Sequence, residues 1–320
     1  MDYESYDLSG ARRSFCRIAL ALTALFVLDT LAGWALEWLV YRSPRLELCF
    51  RSYPLAEWLF GMIPLYGVAV PAAVLLLKRI PAKTPGDIPL KKKYFLEFIP
   101  ITIFVMYTGS IVGVALSYAF TGGTAINPVA EYLKDTTILK VIQIVVLAPL
   151  VEEFVFRKLI IDHSLPYGEK WAVLLSGISF GLLHQNFYQF FYATGLGLLL
   201  AYIYVRTGRL RYTILLHGII NFMGGIIAPW LSQVAEFDAQ SLGAFEVLMF
   251  GLAFLYSISL ISLYIFGMVR TIARCKQLLW IPEKQDLPKG KGWKIVFCNP
   301  FMILYTILCM GVMVLMLFQG

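Results

Sequence analysis

The apolar residues fall into nine blocks separated by polar stretches, at roughly 15–40, 56–77, 94–120, 137–161, 171–185, 189–205, 212–229, 244–269 and 297–318. Each approaches the ~20 residues that an α-helix needs to cross ~30 Å of hydrocarbon. The period-two alternation of barrel strands is absent, and backbone groups in lipid must pair within their own segment. The pattern predicts an all-α, multi-pass transmembrane helical bundle of about nine spans. The fifth and sixth blocks are short and nearly continuous, so merging them near Asn186 would leave eight. The chain 1–320 reads as a single membrane domain, with the Lys-, Pro- and Gly-rich stretches 78–93 and 276–296 as loops.

Composition narrows the picture further. Hydrophobic residues make up 59% of the chain and charged ones only 15%, too little polar surface to coat a soluble globule. A soluble enzyme and a disordered chain are both excluded. Residues 1–14 are polar, and no small-residue cleavage pattern follows a short apolar core, so the first block reads as a retained helix. The five cysteines show no C-x-x-C spacing and suggest neither a disulfide framework nor a metal cluster.

Charge then sets an orientation. When the connections are sorted alternately to two faces, one face holds 22 of the 27 basic residues. These are Arg12, Arg13 and Arg17; Lys78, Arg79, Lys83 and Lys91 to Lys93; Arg157, Lys158 and Lys170; Arg206, Arg209 and Arg211; and seven from Arg270 to Lys294. The other face holds Arg42, Arg45, Arg51, Lys134 and Lys140. The positive-inside rule predicts a cytoplasmic N-terminus and an external C-terminus, with the acidic, Lys-free stretch 230–243 outside. The same alternation favours nine spans over eight. The excess of +7 is accounted for by topology and anionic headgroups, so the bilayer is the expected partner and nucleic acid is not. The expected location is an integral membrane one, the bacterial cytoplasmic membrane ahead of the endoplasmic reticulum.

An ionisable group at membrane depth costs on the order of 2.5–3.5 kcal/mol, so each one requires a reason. The exceptions concentrate in three places. Val151-Glu152-Glu153-Phe154-Val155-Phe156-Arg157 follows Pro149 late in the fourth block. Glu153 and Arg157, four apart, share a helix face in the favourable order, whereas Glu152 is turned away from Arg157. Arg157 can neutralise Glu153 and leave Glu152 free as a general base. Pro149 removes one backbone hydrogen bond and can kink the helix. Phe180 and His184 share a face in the fifth block, and His217 and Asn221 in the seventh. Singly, each histidine reads first as a hydrogen-bonded packing residue. Two of only three histidines in these positions is harder to explain that way.

Together the three segments can form a hydrolytic site. A carboxylate takes a proton from water, an imidazole orients that water or holds a metal that binds it, and a second His with an Asn steadies an oxyanion. Glu152, His184 and His217 also match the ligand types of a catalytic zinc, so metal-bound and metal-free versions both stand. Their depths need reconciling. From a helix start at Trp171, His184 lies about 20 Å from the basic face, whereas His217 lies about 9 Å in, so broken or tilted helices are required.

Read in order, Glu-Glu-x-x-x-Arg, Phe-x-x-x-His and His-x-x-x-Asn on separate membrane helices resemble the signature of the CPBP family. That family contains the type II CAAX prenyl endopeptidases and the bacteriocin-processing and immunity proteins, also called Abi. The resemblance covers a core of about 137–228. It implies an intramembrane endopeptidase in which Glu152 is the base, Glu153 and Arg157 support it, and His184 shares activation of the water or metal. His217 and Asn221 would complete the site. The implied substrate is a membrane-associated peptide or protein, lipid-modified or not. The alternatives are a proteolytically silent CPBP-type scaffold or bacteriocin immunity protein, and a transporter with an ion relay through the same residues.

Two other features have plainer readings. Gly177-x-Ser179-x-Gly181 matches a nucleophile elbow only formally, because that motif needs a strand–turn–helix, so the glycines read as a helix-contact pair. His163 reads as solvated in a loop, and the aromatic run 187–192 as an interfacial belt before a substrate groove.

Overall fold

A computed structural model describes residues 7–134, 137–237, 243–276, 280–281 and 286–318. Every regular element among them is helical. In chain order they are α1 (Leu8–Arg42), α2 (Pro44–Ser52), α3 (Pro54–Leu77), α4 (Lys92–Thr121), α5 (Pro128–Leu133), α6 (138–164), α7 (Glu169–Leu183), α8 (Phe187–Thr207), α9 (Leu210–Ala235), α10 (Ala244–Cys275), α11 (Gly292–Val296) and α12 (Pro300–Leu317). Each of the nine apolar blocks becomes a helix. Seven of these, α1, α3, α4, α8, α9, α10 and α12, have the length and apolarity to cross a membrane. The other two are α6, which carries the Glu-Glu-x-x-x-Arg run, and α7, which at 15 residues is about 22 Å long.

Three helices widen locally into π-helical turns, and in each a proline follows two residues later. The segments are Ile63–Ala69 before Pro71, Gln143–Leu147 before Pro149, and Met223–Ile227 before Pro229. Proline lacks an N–H, and its ring crowds the carbonyl four residues back. A widened turn relieves that clash without ending the helix. A further π segment, Phe154–Ile161, follows Glu153 directly.

Close helix approach depends on missing side chains. A Cβ on Gly181 would sit 1.9 Å from the Thr194 hydroxyl, and one on Gly197 would lie 3.0 Å from Gly177 Cα. The pair Gly177 and Gly181 is therefore the seam of an α7–α8 hairpin. Asn186 caps α8 by accepting from the Gln189 N–H at 2.9 Å. Helix α10, by contrast, is apolar over most of its circumference and buries only Gly267 among its described residues, as a lipid-facing helix does.

One face of the bundle is tied together by polar contacts. Asp162, nearly buried, accepts from Tyr204 Oη at 2.9 Å and pairs with Lys158 Nζ at 2.7 Å, and its carbonyl accepts from the Lys83 N–H at 2.7 Å. Ile88 N–H donates to Thr207 O at 3.0 Å, Arg209 pairs with Asp87, and Arg206 pairs with Glu169. The Arg209 guanidinium beside Asp87 holds its carboxyl below the usual carboxylate range. Here one expectation is corrected. His163 lies inside the end of α6, half-buried, with Nδ1 2.7 Å from the Leu159 carbonyl, because the helix continues to Ser164 rather than opening into a loop.

Candidate active site

Glu153 is the residue around which the site is built. It is fully buried, and Arg157, also fully buried one turn on, donates from Nη2 to Oε1 at 3.0 Å and holds Nε 2.9 Å from Oε2. His217 of α9 places Nδ1 3.0 Å from Oε1 of the same carboxylate. Arg157 Nη1 also donates to Ser176 Oγ of α7 at 3.2 Å, and that hydroxyl donates to the Phe156 carbonyl at 2.9 Å. A buried charge pair is tolerated only when its remaining valences are met, and this network meets most of them. Glu153 is committed to structure.

Glu152 is not. Its carboxylate faces a cavity of about 520 Å³ and keeps 22% of its side-chain surface exposed. Its approach to His217 Nε2, 3.7 Å, is too long for a hydrogen bond. The i,i+4 argument thus holds: Arg157 takes Glu153, and Glu152 points elsewhere.

His184 lines the same cavity. Helix α7 ends at Leu183, so His184 is its C-cap, and its Nδ1 lies 2.9 Å from the Phe180 carbonyl. That contact makes Nδ1 the protonated nitrogen, and it leaves Nε2 free. Gln185 then takes a left-handed conformation at φ 55°, and α8 starts two residues later. The chain therefore turns back directly after His184. The Phe180 ring bridges them with T-shaped contacts, at 4.9 Å to His184 and 5.5 Å to His217. Its face takes the Arg157 guanidinium at 4.8 Å.

Asn221 also lines the cavity, and its bonding follows from Pro149. The widened turn sends the Ala148 N–H to the Gln143 carbonyl. The next carbonyl, Ile144, would be paired by residue 149, which has no N–H to give. Asn221 Nδ2 supplies the missing bond at 2.8 Å. Its second amide hydrogen is not needed for that contact.

Among the described residues, no three His, Cys, Asp or Glu side chains are grouped to hold a metal ion. Glu152, His184 and His217 share the cavity but do not form a ligand set as placed.

Several lining residues were not anticipated. Asn186 donates to the His184 carbonyl at 2.7 Å, and Gln189 donates to Tyr192 Oη at 2.8 Å, so the start of α8 supports the α7 C-terminus. Tyr188 and Tyr192 line the cavity, so part of the aromatic run belongs to the groove and not to a belt. For the tyrosines, a groove is the second of the two readings that the sequence allows; for Asn186 the division of the blocks is the one sign.

The family model described as type II CAAX prenyl endopeptidase Rce1-like matches residues 134–223. The match covers less than a third of the chain, yet it includes all seven residues of the three motifs and bears out the resemblance to the CPBP family. At that level it supports a membrane-embedded protease. No curated protein and no solved structure matches the chain.

Proposed function

We propose that the chain is an intramembrane endopeptidase in which Glu152 activates a water held in the cavity. The observation that carries this reading is the division of labour between adjacent carboxylates. Glu153 is consumed by Arg157 and His217, while Glu152 faces open volume beside two imidazoles. Its substrate would be a membrane-associated peptide or protein.

In the proposed step Glu152 takes a proton from water, and the oxygen attacks the scissile carbonyl carbon. The free Nε2 of His184 orients the water. His217, fixed by Glu153 through Nδ1, turns Nε2 toward the same place. The second amide hydrogen of Asn221 meets the developing oxyanion. Glu152 then returns its proton to the departing amine as the C–N bond breaks, so protons and charge balance.

The test is the full-length Glu152→Gln variant, purified and assayed on a membrane-anchored peptide with and without chelator. Loss of cleavage with an unchanged melting transition is expected. Turnover equal to that of the parent chain would remove Glu152 from the mechanism. Loss on chelation alone would move the water-activating role to a metal.

A further inference from the structure

The cavity lies toward one end of the bundle, and the other end is filled. Beyond Glu152, His184 and His217, its walls come from Ser110 and Val114 of α4, Asn127 at the N-cap of α5 and Val129 within it, and Gly225 and Ala228 of α9. Those on α4 and α9 lie in the halves of their helices remote from Lys92 and Leu210, and the others lie at α5. In the opposite direction the same helices are filled. Phe156, Arg157 and Ile160 of α6, Ser176 of α7, Leu200 and Tyr204 of α8, and Thr213 and Leu216 of α9 are at most 1% exposed. Beyond that plug lie the cross-links of Asp162, Asp87 and Glu169.

The filled end is also the basic one: Lys78, Arg79, Lys83, Lys91 to Lys93, Lys170, Arg206, Arg209 and Arg211 lie in or beside the connections there. We propose that the scissile segment reaches Glu152 from the face opposite the basic loops, which the charge rule makes the non-cytoplasmic face. The substrate class is then a membrane-anchored peptide whose cleaved segment has already been exported. It lies extended along a wall of neutral polar groups, Ser110, Asn127, Gln189 and Tyr192. The substrate rests on the peptidase reading above; the sidedness does not.

Labelling with a membrane-impermeant maleimide tests it, using the full chain in a bacterial cytoplasmic membrane. Ser110→Cys reports the cavity wall and Val129→Cys its rim. Gly86→Cys and the native, exposed Cys275 report the basic face. Mass spectrometry of the labelled peptides assigns each site. The two cavity positions should label in intact cells, and Gly86→Cys and Cys275 only in inverted vesicles. Labelling of Ser110→Cys from the side that reaches Cys275 would overturn the proposal, and so would an inverted pattern at all sites. If Ser110→Cys fails to accumulate, Val129→Cys carries the same decision. The labels are read whether or not the chain cleaves anything, so a failed cleavage assay would strike only the peptidase reading.

Discussion

The two halves of the bundle on either side of Phe180 use polar residues for opposite purposes. Toward the basic face, Glu153, Arg157, Ser176 and Asp162 are buried and bonded to one another or to neighbouring helices. Toward the other face, Glu152, Asn127, Gln189 and Asn221 stand around open volume. The difference shows why adjacent glutamates cannot exchange roles. A carboxylate whose oxygens are already engaged cannot take a proton from water, and one left half in a cavity adds little to stability.

The sharpest way to break this comparison is Arg157→Ala. It leaves Glu153 buried without its cation and should destabilise the folded protein by about 3–5 kcal/mol, read by chemical or thermal unfolding in detergent. A loss under about 1 kcal/mol would mean that the closed half does not depend on the pair.

A cycle through Asn221 and Pro149 sharpens it next. Asn221→Ala strands the Ile144 carbonyl and should cost about 1–3 kcal/mol. In a Pro149→Ala background the backbone N–H returns, so the same change should cost markedly less. Equal costs in both backgrounds would mean that Asn221 does not act through that carbonyl. Cleavage rates measured on the same four proteins separate this from the proposed oxyanion role, since Pro149→Ala restores no oxyanion donor.

In the open half Glu152→Gln should move stability by no more than about 0.5 kcal/mol while cleavage is lost. A large destabilisation would place Glu152 with Glu153 as a structural group.

The smallest effect is expected at the Asp87–Arg209 pair on the closed face. Because Arg209 lowers the Asp87 pKa in the folded state, the pair stabilises above the unfolded carboxyl value. That contribution is lost as pH falls through the lowered folded value. Asp87→Asn should therefore differ from the parent near neutral pH and converge with it in acid. A difference in melting that persists or grows in acid would contradict the assignment.

Local patterns revealed a good part of this. The separation of Glu152 from Glu153 followed from 100° per residue. It survived the π segment beginning at Phe154, because Arg157 still reaches back one turn. Gly177 and Gly181 were legible as a contact seam. His163 was misread, because a helix that runs on to Ser164 leaves no mark in a stretch with both loop and helix character. In the aromatic run 187–192 the second reading, a groove, holds for Tyr188 and Tyr192, whose facing is set by the turn at Gln185, which no periodicity shows. The bond from Asn221 to Ile144 joins residues 77 apart and had no local signal at all.

The sequence alone determined that this chain is a stack of membrane helices, which of its charges must be exceptional, and which of two neighbouring glutamates would pair with Arg157. Those follow from the cost of charge in lipid and from helix periodicity, both properties of a single segment. Tertiary structure decided the rest: the meeting of three motifs around one cavity, and the end of the bundle at which that cavity lies. These depend on broken helices and on bonds between distant segments, and they exist only once the segments have packed.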